Sequence, residues 1–416
     1  MKKILVAAAV AAVFASASFA QLSEGLSLSG DAGAIWDVAV NNIKADEKDP
    51  TKDGDTEIYT GIHQVWGGAA PRGAFNLTGN TENVGFQAQI FTFADGTVSC
   101  GDNVKVWVKP VDMLKLVFGK SDDGTLATSV AFGSYDWDRF GAIKDEDEII
   151  FAKHINKTVA FVLTPVEGLS VIGGFNAPIS EPINGDGKFN GGSQLSYALG
   201  YTGAAAVAYA IPDIGTVKVG VRGDGSNPNL ANETSFYNKD GDERVHFANI
   251  DAAFELTAVE NLWLAVGGKV ATKKAYAAEK KGVKNAPRVV AKAVYTMDAL
   301  TFTALGDIKI GEADEKEGDS TKTPKQDGAL GFKAGAGVAY TLENGLTFHG
   351  DVRYANGIWM DNNSTKNSDC LTFGLGALQN YTNGSLGIGF ELATNQQGVK
   401  GDKVQWAIPV KFSASF

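Results

Sequence analysis

One unit recurs along this chain and limits what it can fold into. VKPVDMLKL (108–116), LTPVEGLSV (163–171), AIPDIGTVKV (210–219), LTAVENLWL (256–264), YTMDALTFT (295–303) and YTLENGLTF (340–348) each read as strand, short turn, strand. The turns carry Asp112, Glu167, Asp213, Glu260, Asp298 and Glu343. YTNGSLGIGF (381–390) supplies a further copy with Asn-Gly at the turn, and GNTEN (79–83) reads as one more turn. Alternation of apolar and polar residues puts the two sets on opposite faces of a strand. A short Gly/Asn/Asp turn between two such runs closes an antiparallel hairpin. A chain that repeats the unit throughout is expected to be all-β and antiparallel.

The connections between hairpins are of the opposite kind. NNIKADEKDPTKDGD (41–55), GDGSNPNLANETSFYNKDGDE (223–243) and GEADEKEGDSTKTPKQDG (311–328) are long and charged. Loops of this length are unusual inside compact soluble domains. Short turns at one end and long loops at the other are the asymmetry of a transmembrane β-barrel. A large soluble sandwich or β-helix also alternates, but lacks two such unequal loop classes. The stripes agree with a barrel: Leu195, Tyr197, Leu199, Tyr201, Val207, Tyr209 and Ile211 share one face, as do Phe332, Ala334, Ala336, Val338 and Tyr340. Tyr295, Tyr340 and Tyr381 precede tight turns, where an aromatic belt would meet the membrane boundary. Eight tight turns and nine longer loops give about 18 strands, or 16 if the 57–94 region is misread.

The termini point the same way. Lys2 and Lys3, an apolar run from Ile4 to Phe14 and ASASFA form a secretory signal with cleavage expected after Ala20, leaving residues 21–416 as a single barrel domain. The run is too short to cross a bilayer as a helix, and no later segment reaches the length a helical span needs. At the other end Val404, Trp406, Ile408, Val410, Phe412, Ala414 and Phe416 make one stripe running to the last residue. A closed barrel requires the last strand to pair with the first, because an open edge is not tolerated in lipid. The signal peptide, the asymmetric connections and the terminal aromatic stripe resemble the bacterial outer-membrane porin class. That resemblance implies an outer-membrane location beside lipid and lipopolysaccharide, insertion by the barrel-assembly machinery through the strand ending at Phe416, and a homotrimer.

Losing Lys2 and Lys3 takes the formal charge from −11 to −13. This acidic balance argues against nucleic acid, which calls for a clustered basic face. Cys100 and Cys370 are the only cysteines, enough for one disulfide in an oxidising compartment but not for a framework. His63, His154, His246 and His349 show no metal-ligand spacing, and no nucleophile elbow, Walker loop or dinucleotide fingerprint occurs. No cofactor is expected, and no enzymatic activity. Asp240, Asp242 and Glu243 could hold a hard cation only with further converging oxygens, and read better as a solvated loop.

A barrel of about 18 strands is too wide for its own side chains to fill, so water is expected inside. Parity assigns Lys105, Arg222, Lys292, Asp307, Lys309, Lys333, Asp351 and Arg353 to the inner face, together with Trp107 and Trp263. By its order along the chain, 119–148 resembles the third loop of porins, which narrows the pore. Its Asp122, Asp123, Asp136, Asp138 and Arg139 are constriction candidates, although the Pro-Glu-Phe-Gly-Gly motif of enterobacterial porins is lacking. Opposed rings of charge would select solutes by charge and dipole. The functions to weigh are a passive channel for small hydrophilic solutes and ions, a substrate-specific channel (for a sugar, for example), and a barrel without transport, either an adhesin or a lipase-like enzyme. For the last, His349 is the inward histidine, with no serine partner identifiable.

Overall fold

The computed structural model describes residues 25–45, 53–63, 71–120, 159–175, 203–222, 249–271, 287–311, 329–356, 369–394 and 404–416. Every regular element among them is a strand. The first group is β1 (Leu26–Ala45), β2 (Asp53–His63), β3 (Arg72–Asn80), β4 (Val84–Phe93), β5 (Val98–Val111) and β6 (Leu114–Lys120). Then come β7 (Val159–Val166), β8 (Leu169–Phe175), β9 (Ala204–Ile211), β10 (Gly215–Arg222), β11 (Asn249–Leu256) and β12 (Leu262–Ala271). The chain ends with β13 (Arg288–Met297), β14 (Leu300–Gly311), β15 (Ala329–Thr341), β16 (Leu346–Ala355), β17 (Cys370–Tyr381), β18 (Gly384–Thr394) and β19 (Val404–Ser415). The signal segment lies outside the described residues.

Each strand from β3 to β19 pairs antiparallel with the next, and β19 pairs with β1 from Asp31↔Ser415 to Val40↔Ala407. The sheet is therefore closed. The nineteen segments fill eighteen positions, because β2 and β3 share one: β1 pairs with β2 over Ile35–Ala45 and with β3 over Leu26–Gly33. Along β1 the partner changes from His63, opposite Ile35, to Arg72, opposite Gly33. The 57–94 region thus contributes one interrupted strand and one whole one, and the larger expected strand number holds.

All eight expected tight turns occur, and they lie at one end of the barrel with the start of β1 and the C-terminal Phe416. At the Met297↔Leu300 turn, Asp298 has a φ of 50°, a left-handed conformation that a short polar side chain tolerates better than most. Two expectations about the opposite end need correction. β1 and β2 run as far as Ala45 and Asp53, into the segment read as a loop, because the ladder hydrogen bonds outweigh its polar composition. One connection at that end, 94–97, is short: the Asp95 carboxylate accepts from the Thr97 N–H at 2.8 Å, folding the chain back locally.

Large apolar side chains line the outer face. Trp36, Phe86, Val106, Phe118, Val207, Val219, Val266, Phe302, Phe332, Val338, Phe373, Leu375, Ile388 and Phe412 are all exposed. Tyr295, Tyr340 and Tyr381 are exposed beside their turns, as an aromatic belt requires. A soluble fold would bury this surface; a barrel in lipid presents it.

The terminal phenylalanine is held by the first strand. Gly30 and Phe416 exchange both backbone hydrogen bonds, at 3.2 and 3.0 Å. The Phe416 ring lies over Gly30, where a Cβ would meet its Cζ at 2.4 Å, and its centroid is 6.5 Å from that of Phe75. Closing the barrel thus orders a terminus that would otherwise fray.

Candidate functional site: the inner wall

Parity and pairing define an inner face on every strand, and its character changes around the barrel. From β6 to β14 it carries Val117, Ala160, Ile172, Ala206, Ala253, Ala265, Val290 and Leu305, a contiguous buried apolar cluster. Trp107 and Trp263 pack at its edges, both on the inner face as expected. The cluster surrounds Lys218, whose Nζ lies 2.6 Å from the Glu255 carboxylate.

Beyond it the wall becomes ionic. Asp307 on β14 accepts from Arg288 Nε on β13, at 2.9 and 3.0 Å to its two oxygens, and also pairs with the Arg288 Nη2. Lys333 on β15 lies across a rung from Asp307, with Nζ 3.7 Å from Oδ2. Arg288, Asp307 and Lys333 are 6%, 1% and 2% exposed, so two cations share one carboxylate away from solvent. Further round, Arg353 Nε donates to Asp351 at 2.8 Å, and Glu391, Gln405 and Lys411 follow on β18 and β19. On β3 to β5, Arg72 sits over the Phe91 ring at 4.1 Å, Gln87 donates to Asn76 at 3.2 Å, and Lys105 donates to Asn103 at 3.4 Å.

The sequence-derived candidates fall into three groups. Lys105, Lys292, Lys333 and Arg353 lie on the inner face, Lys292 with its Nζ 5.8 Å from the centre of the Trp263 ring. Arg222 takes the rung between Ala204 and Asn249, and Lys309 the rung between Arg288 and Gly331; their side chains lie outside the description. Asp122, Asp123, Asp136, Asp138 and Arg139, with all but the first two residues of 119–148, lie outside the described residues, as do Asp240, Asp242 and Glu243. Arg288, Lys218, Glu255, Lys109 and Lys115 are inner-wall charges the sequence reading passed over. Lys218 was findable, because it sits between the outward Val217 and Val219. Arg288 opens its strand, with no preceding alternation to fix its parity.

His349 is inward and buried, and its cross-strand neighbours are Ala339 and Gly376, so the ladder sets no serine beside it. Cys100 is exposed and Cys370 buried, and both are free thiols; they sit on opposite faces of well-separated strands, too far apart to bond. Among the described residues no group of His, Cys, Asp and Glu could hold a metal ion.

No protein-family model and no curated protein sequence matches this chain. Solved structures do. An anion-selective porin from Comamonas acidovorans superposes with a TM-score of 0.50 at 11% identity, over 94% of this chain and 99% of its own. OpdQ and OpdL from Pseudomonas aeruginosa each give 0.50, at 10% and 9% identity, over 95% of this chain and 99% of theirs. The chain has the porin fold. At such low identity the likeness is one of fold and overall extent, and the composition of this inner wall is the chain's own. The exposed apolar belt is the face that a closed barrel of this fold turns toward lipid.

Proposed function

We propose that the protein is a passive outer-membrane channel through which small hydrophilic solutes and ions diffuse without cofactor or energy input. The observation that carries this reading is the contrast between the two faces of one closed sheet: large apolar side chains outside, and inside the charged and amide side chains, set beside smaller apolar ones. Charge on the lipid side would cost roughly 2–4 kcal/mol per Lys or Arg near the bilayer midplane. Placed inside, the same groups face a bore that eighteen strands leave too wide to fill. A homotrimer, in the manner of the porin class, belongs to this reading, as does insertion through the strand ending at Phe416.

Single-channel recording of the purified barrel in planar bilayers tests it. Stepwise, ohmic conductance is the expected result; barrels that fold and insert without conducting would overturn the proposal.

A second reading, a substrate-specific channel, draws support from Trp107 and Trp263, two indoles beside an apolar inner cluster. Conductance that saturates with added solute would favour it over general diffusion.

A further inference from the structure

Two lysines converge on one indole at the short-turn end of the inner wall. Lys109 Nζ lies 5.5 Å and Lys115 Nζ 5.1 Å from the centre of the Trp107 ring, within the range of cation–π attraction. The two residues flank the Asp112–Met113 turn, between the rungs Val108↔Leu116 and Val111↔Leu114. They therefore form a like-charge pair across a hairpin, an arrangement that ordinarily destabilises a sheet. Among the described residues no carboxylate lies within ion-pairing distance of either ammonium, not even Asp112 in their own turn. The indole is seated firmly: it packs against the apolar cluster around Val117, and Gly85 on β4 leaves room for it, where a Cβ would meet the ring at 2.4 Å.

We infer that Lys109, Lys115 and Trp107 form an anion station at the turn-side mouth of the barrel, taking the carboxylate or phosphate group of a small solute between the two ammoniums. The inference rests on the channel reading for its purpose, though binding at the station does not require conduction. The ring quadrupole holds both cations close together and the mouth keeps them in reach of water. The charge that would normally cancel them has to arrive with the solute. Apolar side chains beside the indole give the body of an organic anion something to rest on.

The test is calorimetric titration of the full-length, detergent-folded barrel with inorganic phosphate and, separately, with acetate. The wild type is compared with Lys109→Gln/Lys115→Gln and with Lys109→Arg/Lys115→Arg. At low salt the glutamine pair should weaken binding at least about threefold, the scale of two unit charges acting through water at several ångströms. The arginine pair should keep it. Heat-modifiable gel mobility establishes that each variant is folded, and the glutamine pair should be no less stable than the wild type, since it removes a repulsion.

In bilayers, the chloride-over-potassium preference should fall in the glutamine pair and stay in the arginine pair. Equal affinity in the folded wild type and glutamine pair, or no binding of either anion by the wild type, overturns the station. Binding that follows the lysines in a barrel that passes no current would leave the station standing and sink the channel reading instead. Response to phosphate but not acetate, or the reverse, assigns the station to that anion class.

Discussion

From β6 to β14 the inner wall carries a buried apolar cluster with charges such as Lys218 and Asp251 set into it; from the Arg288–Asp307 pair onward, through β19 to β5, charged and amide side chains stand among smaller apolar groups such as Ala355, Ala393 and Ala407. Both arcs have the same exterior. Val219 and Phe254 on one side match Phe332 and Phe373 on the other, because the outer face everywhere meets one solvent, the acyl chain. No such uniform demand acts on the inner face, so its chemistry can differ from strand to strand. The apolar arc holds the Lys218–Glu255 ion pair among small apolar neighbours. The ionic arc is built the other way: cations and carboxylates compensate one another, as burial requires.

The sharpest way to break that contrast is to remove the shared carboxylate of the ionic arc. Asp307→Ala leaves Arg288 and Lys333 buried without it, and losing one partner of a buried ion pair costs on the order of 3–5 kcal/mol. Urea unfolding of the barrel in detergent, followed by the mobility shift on unheated gels, should show a loss of that size. A loss below about 1 kcal/mol would mean the cluster behaves like a solvated surface pair.

A matched pair of small changes compares the arcs directly. Ala206 on β9 and Ala355 on β16 are both inward and buried. Ala206 faces Ile172 and Gly220, whereas Ala355 faces Lys333 and Cys370. Ala206→Ser places a hydroxyl among apolar groups and should cost about 1–3 kcal/mol. Ala355→Ser places the same hydroxyl next to a lysine and should cost less. Equal losses in the unfolding assay would dissolve the distinction between the arcs.

The outer wall was legible in the sequence, and the inner wall only in outline. Lipid enforces a strict alternation, so Phe332, Val338, Tyr340 and the terminal stripe to Phe416 announced both strand and face. Lys333 and Arg353 followed by parity from such neighbours. What parity cannot tell is which inward charges meet around the barrel. Arg288 and Asp307 lie nineteen residues apart in sequence and meet through the β13–β14 register. The split of one strand position between β2 and β3 was likewise hidden, since each segment alternates normally and only their common partner β1 reveals that they are collinear. The eight tight turns were visible because Asp, Asn and Gly at fixed places are what short hairpins demand. The short 94–97 connection was missed for want of a contrast with its neighbours.

The smallest expected effect bears on the ion pair within the apolar arc. Lys218 Nζ and the Glu255 carboxylate are 2.6 Å apart, with side chains 10% and 19% exposed. If the surrounding wall is apolar in its energetics as well as its composition, either charge alone is worse off than both or neither. Lys218→Met and Glu255→Leu should then each destabilise, by about 1–2 kcal/mol, while the double variant returns close to wild-type stability because it substitutes apolar packing for a desolvated pair. The coupling energy, read from the same urea transitions, should be favourable and near 1 kcal/mol or more. Were the double variant to lose the sum of the single losses, the two charges would be acting independently, each solvated in its own right. The apolar arc would then be wet at that level and would differ from the ionic arc only in how many charges it carries.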